Sequence, residues 1–269
     1  MRGSSRAAVH EGRPVFESAL TSGDPAVLAD ELFAVTGLLD ENATLRRSVA
    51  DPSREGEDKS GLVTQLLGGR ISDGALRVVA SLASQRWAQD RDLSDTLEQF
   101  AVEALLKGAE DNRAIDQVED ELFRFERIVA ATPELRDALG NRLGDAAGKA
   151  ELVGSLLEGK ARPETVRLAR QAVTHPRGRR FARTIEQYLD IAAERREQYT
   201  AVVTTAVDLT DEQRSRLAGA LQQVYGRAVQ LQVVHDEDVI GGIRVQIGDE
   251  VVDGTVLRRL DEAKRHLAG

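Results

Sequence analysis

The sequence predicts a mainly α protein: tandem helical bundles followed by a small α/β C-terminal domain. The first observation behind this is a repeat. Asp30-Glu31-Leu32-Phe33 returns as Asp120-Glu121-Leu122-Phe123, and the same shift of 90 residues lays Leu45-Arg46 on Leu135-Arg136, Lys59 on Lys149, and Arg77 on Arg167. Residues 30–85 and 120–175 share 13 identities in 56 ungapped positions. So long a collinear series marks a tandem duplication. The second observation is helical spacing of apolar residues within each copy, in a chain whose 4% aromatic content demands an aliphatic core. The third is a two-residue alternation near the C-terminus, which belongs to strands.

Taken in order, the first thirty residues are punctuated by Pro14, Gly23 and Pro25, and only a short helix at 15–20 is expected there. In the second copy, residues 119–131 carry a stripe of Leu122, Phe125, Ile128 and Val129. Thr132-Pro133-Glu134 interrupts that helix and starts the next, with proline in the tolerated first turn. Further helices are expected at 149–157, ended by Gly159, and at 163–173, stopped by His175-Pro176. Residues 181–199 read as one long helix with Phe181, Ile185, Tyr188, Leu189 and Ala192 on a single face. Thr96-Leu97-Glu98-Gln99-Phe100 is answered by Thr184-Ile185-Glu186-Gln187-Tyr188, so a helix at 96–106 is placed to close the first bundle and open the second. The expected domains are 1–95, 96–200 and 201–269.

From about residue 200 a β-α-β-β-α module is expected. A strand at 202–207 precedes Thr210-Asp211-Glu212-Gln213, a capping-box pattern that opens a helix over 211–225. A strand at 229–234 follows. Ile243, Val245 and Ile247 then alternate with Arg244 and Gln246, Gly248-Asp249 makes a tight turn, and Val251-Val252 resume the strand. Asp253-Gly254-Thr255 is a helix start, with Val256, Leu260, Ala263 and Leu267 at helical spacing behind it.

The order GG-I-x-V-x-I-GD-x-V-V-DG-[ST]-V-x-x-R-L resembles the C-terminal signature of the delta subunit of rotary ATP synthases, the oligomycin-sensitivity-conferring protein family. Gly241, Gly242, Gly248, Asp249, Asp253, Gly254, Thr255 and Leu260 carry the match; Thr255 stands where the family usually has serine. Residues 202–231 look like the segment that precedes the signature, and residues 121–196 resemble the family's helical N-terminal bundle, so the chain looks like that family with one extra bundle. The resemblance implies a peripheral-stalk (stator) subunit. Its helical part would engage N-terminal segments of the alpha subunits of the head, and its C-terminal domain would grip the b subunit, so that proton flow stays coupled to ATP synthesis. It also implies no catalysis by this chain, no cofactor, and a peripheral position on the cytoplasmic face of the bacterial cell membrane, reached only through partners. The alternative is a helical-repeat adaptor unrelated to ATP synthase.

Composition narrows the chemistry. A net charge of −9 argues against a nucleic-acid binder, and the absence of cysteine excludes disulfides and thiolate metal sites. No apolar run approaches the roughly 18–20 residues of a membrane span. Gly144-Asp-Ala-Ala-Gly148-Lys149 is one residue short of a phosphate-binding loop, lacks the hydroxyl that holds magnesium, and reads as a helix connector. His10, His175, His235 and His266 are scattered without ligand spacing, and Asp236-Glu237-Asp238 reads as a solvated loop. The run Arg177, Arg179, Arg180, Arg183 is expected to be a solvated helix start or a dock for an acidic partner, and Trp87 a half-buried bundle residue. No catalytic, cofactor or metal residue is assigned.

Overall fold

A computed structural model describes residues 3–141, 144–197, 200–225, 229–236, 239, 241–247 and 250–254. The helices in chain order are α1 (Gly3–Ser22), α2 (Pro25–Glu41), α3 (Ala43–Ala50), α4 (Gly56–Leu67), α5 (Asp73–Ser84) and α6 (Asp90–Asp111). They continue as α7 (Ile115–Ala131), α8 (Pro133–Gly140), α9 (Ala146–Leu157), α10 (Pro163–Thr174) and α11 (Phe181–Glu197). Strand β1 (Thr200–Thr205), helix α12 (Asp211–Tyr225), then β2 (Gln230–His235), β3 (Ile243–Ile247) and β4 (Glu250–Asp253) complete the described chain. Packing divides it into two units, Met1–Ala192 and Ala193–Gly269.

The duplication recurs as geometry. Helices α2 to α5 and α7 to α10 begin and end at positions 90 residues apart, without exception. The same side-chain clamp appears in both copies. The Glu31 carboxylate accepts from the Ser72 amide at 2.8 Å and the Ser72 hydroxyl at 2.6 Å. Glu121 accepts from the Arg162 amide at 2.8 Å and the Thr165 hydroxyl at 2.6 Å. A carboxylate set across the first turn of a helix satisfies amides that have no intrahelical acceptor. Gly69 and Gly159 both take positive φ (71° and 75°) where the chain reverses before that helix, a conformation open to glycine.

Helix α6 is the shared element. Residues Leu93, Leu97, Phe100, Ala101, Val102, Ala104, Leu105 and Leu106 are buried, and so are Glu98 and Glu103 among them. A helix buried on every side lies in the middle of a core rather than at its surface. Tyr188 of α11 reaches Glu98 at 3.3 Å, while Arg13 of α1 pairs with Glu103. One helix thus closes the first copy and opens the second, and a single apolar cluster runs from Ala8 to Ala192.

The N-terminus corrects the short helix expected at 15–20. Helix α1 runs for 20 residues through Pro14. An interior proline forfeits one backbone hydrogen bond and costs about 3 kcal/mol in isolation. Tertiary docking offsets that cost: Ser5, Ala8, Gly12, Phe16, Ala19 and Leu20 form one buried stripe. Phe16 stacks on Phe100 with centroids 4.2 Å apart, and the Arg13 guanidinium lies 4.7 Å from the Phe100 centroid. Phe16→Ala is therefore expected to lower stability by about 3–5 kcal/mol. Urea denaturation followed by helical circular dichroism should show it as a lower midpoint with an unchanged slope.

The second unit is a four-stranded sheet of order β2-β1-β3-β4. β1 and β2 are parallel and joined through α12, while β3 pairs antiparallel with β1 and with β4. Glu250–Asp253 is the strand that Val251-Val252 were expected to resume, the second arm of the hairpin. Ala201, Val203, Val245 and Ile247 point to one face, where Leu221 of α12 and Val229 complete a small core. The capping box is reciprocal: the Thr210 hydroxyl accepts from the Gln213 amide at 3.2 Å, and the Gln213 side chain accepts from the Thr210 amide at 2.9 Å. The helix expected over 256–267 lies outside the described residues.

Candidate functional site

The signature glycines frame the β3–β4 hairpin at one end. Gly241 and Gly242 enter β3 with φ of 64° and 88°, a succession that side-chain-bearing residues adopt only under strain. At the far end of β4 the Gly254 amide donates to the Ile243 carbonyl at 3.0 Å, and a Cβ there would stand 3.3 Å from that oxygen. Asp253 lies opposite Arg244 in register. Gly248, Asp249, Thr255 and Leu260 lie outside the described residues. Val251 and Val252 on β4 are about half exposed (48% and 52%).

Tyr225, at the end of α12, donates to Glu250 of β4 at 2.7 Å. Burial, then the hydrogen bond and charge of Glu250, push its phenol up to about 12. A raised acid favours the protonated fold, so this contribution is complete below the unfolded value near 10 and is lost as pH rises through about 12. Titration at 295 nm should show one phenol moving down toward 10 in Glu250→Gln.

In the helical unit the arginine run divides: Arg180 and Arg183 are exposed at the start of α11, as a solvated helix start would be, whereas Arg177 and Arg179 turn inward to acids of the same chain. Arg177, at φ 52°, has a side chain only 4% exposed. It donates to Asp40 of α2 at 2.5 Å, and to Asp95 at 2.8 Å, Glu98 at 2.6 Å and Ser94 at 3.0 Å on α6. Arg179 shares Glu98 and donates to Gln187 at 2.6 Å. Five acidic and basic side chains thus converge where α2, α6 and the α10–α11 loop meet. The acids that pair with the run, Asp40, Asp95 and Glu98, escaped sequence reasoning. The legible signal was asymmetry between copies: Arg177 answers Trp87, and Ala130 answers Asp40. Burial holds the Tyr188 phenol well above its ordinary value and raises the Asp95 carboxyl despite the neighbouring Arg177.

The glycine-lysine loop is a helix connector. The Asp145 carboxylate caps α9 by accepting from the Gly148 amide at 2.8 Å, in the place a phosphate would need. Trp87 is buried, and its indole N–H donates to the Leu82 carbonyl at 2.8 Å. His175 packs beside Gly37, and its Nδ1 lies 3.0 Å from the Thr174 hydroxyl. Among the described residues no helix is long and apolar enough to cross a membrane.

A fused helical repeat carrying a separate α/β module, with its buried charges spent on internal ties, has the build of a scaffold that connects other proteins. Residues 100–267 match the family described as ATP synthase delta (OSCP) subunit. The chain is 47% identical to the ATP synthase subunit delta of Kineococcus radiotolerans, over 99% of this chain and 98% of that one. It is 48% identical to that of Streptomyces griseus subsp. griseus over 93% and 92%, and 42% identical to that of Thermobifida fusca over the whole of both chains. The chain belongs to the ATP synthase delta (OSCP) subunit family and is, with it, a component of the peripheral stalk of that complex. An adaptor unrelated to ATP synthase is not favoured.

Proposed function

We infer that the chain is the static link between the catalytic head and the b stalk, holding the head against rotor torque so that proton flow yields ATP. The observation that supports this best is α6. A helix buried in both repeats at once removes the hinge that tandem bundles ordinarily have, and a torque link needs to be free of such hinges. The helical repeats, residues 1–95 and 96–200, face the alpha subunits, and the module from 201 to 269 takes the b subunit. The signature residues Gly241, Gly242, Gly248, Asp249, Asp253, Gly254, Thr255 and Leu260 shape that second contact. The chain catalyses nothing itself and sits on the cytoplasmic side of the bacterial cell membrane, held there by its partners.

A link under repeated load must dissociate slowly. Nanomolar binding, about −12 kcal/mol, fits an interface of roughly 1,600 Å² with well-packed anchors. Truncation after Gly254 is expected to abolish stalk binding and uncouple proton flow from synthesis. A truncated chain that still restored proton-driven ATP synthesis in depleted membranes would refute the assignment.

A further inference from the structure

The two repeats keep the same two cations at one place and use them differently. In the first copy Arg46 donates to Asp90 at 2.9 Å and to the Leu39 carbonyl at 3.1 Å, and its side chain is 13% exposed. Lys59 is buried, and its ammonium donates to the Gln85 carbonyl at 2.6 Å. Beside them the helices close. Leu39, Val49, Ala83 and Leu93 line a void of about 20 Å³, room for about one water. In the second copy the counterparts are Arg136 and Lys149, and neither is tied down in that way. Arg136 lies 3.8 Å from its own neighbour Asp137, with a side chain 57% exposed. Lys149 makes no hydrogen bond or ion pair among the described residues. The acid itself has gone. The repeats slip by two residues here, and neither Gly178 nor Arg180, the two residues that can be laid on Asp90, carries a carboxylate.

The space has opened as well. Helices α7, α8, α9 and α10 and the loop into α11 surround a cavity of about 1,000 Å³, at the upper end of the range that small-molecule sites occupy. Val129, Leu139, Val173 and Phe181 give it an apolar lining, and they stand where Leu39, Val49, Ala83 and Leu93 close the first copy. Arg136, Lys149, Arg179 and Arg180 share the rest of the lining with the acids Glu126 and Asp137. Arg179 is drawn away to Glu98, and Arg180 has no ion pair among the described residues. Cations that keep their place after losing their acid repel one another across the opening, and a bound anion removes that cost. A cleft with an excess of one charge over an apolar lining also draws in ions of the opposite sign. The glycine-lysine loop is not this site, since Asp145 already takes its amide. We propose that the cavity binds a small amphiphilic anion. Its phosphate or carboxylate head is held by Arg136, Lys149 and Arg180, and its aliphatic body lies on Val129, Leu139, Val173 and Phe181.

The test is calorimetric titration of the full chain with octyl phosphate, octanoate, octanol and inorganic phosphate, each below any micelle-forming concentration. Octyl phosphate and octanoate are expected to bind at one site, about tenfold or more tighter than octanol or inorganic phosphate. Lys149→Met and Arg180→Asp should each weaken both anions about tenfold, the second by restoring the acid that the first copy carries as Asp90. Neither side chain has a hydrogen bond or ion pair to lose among the described residues, so the melting temperature without ligand should not move. That separates loss of the site from loss of fold. Failure of both anions to bind, octanol or inorganic phosphate binding as tightly as octyl phosphate, or binding indifferent to both variants would overturn the proposal. The proposal does not rest on the stator reading, which stands whichever result is found.

Discussion

Arg177→Met is expected to cost about 3–5 kcal/mol, the penalty for leaving a buried charge without its partner. The variant keeps the length and apolar stem of the side chain but leaves Asp40 without its arginine and Glu98, which is fully buried, with Arg179 alone. For a unit of this size the loss corresponds to a melting temperature lowered by roughly 6–20 °C. Glu98→Met should do comparable harm, because Arg177 and Arg179 both depend on it. Combining the two should cost less than their sum, since both changes remove the same Arg177–Glu98 pair. Asp95→Asn makes the control. Burial already raises that carboxyl, and its side chain is about half exposed, so its removal should barely move the melt. If all three single variants melted alike, the cluster would be peripheral to the fold.

Deleting residues 31–120 is expected to have a still larger effect. The cut joins Asp30 to Glu121, so the junction still reads Asp-Glu-Leu-Phe and each helix keeps its phase. On sequence identity alone the shortened chain should fold, with α1 taking the place of α6. The structure predicts otherwise, because the deleted segment carries Asp40, Asp95 and Glu98. Arg177 and Arg179 would remain, facing a core with no acid in it, at several kcal/mol for each buried charge. A product that aggregates, or melts without cooperativity, is therefore expected. Installing the residues that the first copy uses at those positions, Arg177→Trp and Arg179→Gln after Trp87 and Gln89, should restore a cooperative helical melt. A deletion that folded well without them would mean that the charged cluster is not what distinguishes the copies.

Much of the fold was legible because it rests on periodicity. The 90-residue shift, the stripe at Leu122, Phe125 and Val129, and the capping box at Thr210 are local patterns whose physics does not depend on distant residues. Ile128, expected on that stripe, is nevertheless 56% exposed because it falls at the stripe's edge. Helix α1 was not legible. Pro14 argues against it locally, and only Phe100 and Glu103, some ninety residues away, argue for it. The charged cluster was hidden for the same reason. Its members lie at positions 40, 95, 98, 177 and 179, and a run of arginines looks solvated until its acids are found across the fold. In the C-terminal module the glycine pattern was legible because positive φ is a property of single residues.

The shared helix also sets a schedule for biosynthesis. The first repeat is complete only when Asp111 has left the ribosome, since α6 is its closing wall. The opposite side of that helix is then covered in part by α7 and α10 and is closed only when α11 arrives, with Tyr188 on Glu98. About 80 further residues must be made in that interval, which at 5–20 residues per second lasts roughly 4–16 s. Leu97, Ala101 and Leu105 belong to a helix that cannot be covered on both sides any sooner. A nascent chain paused between residues 111 and 181 should therefore be the form that chaperones bind.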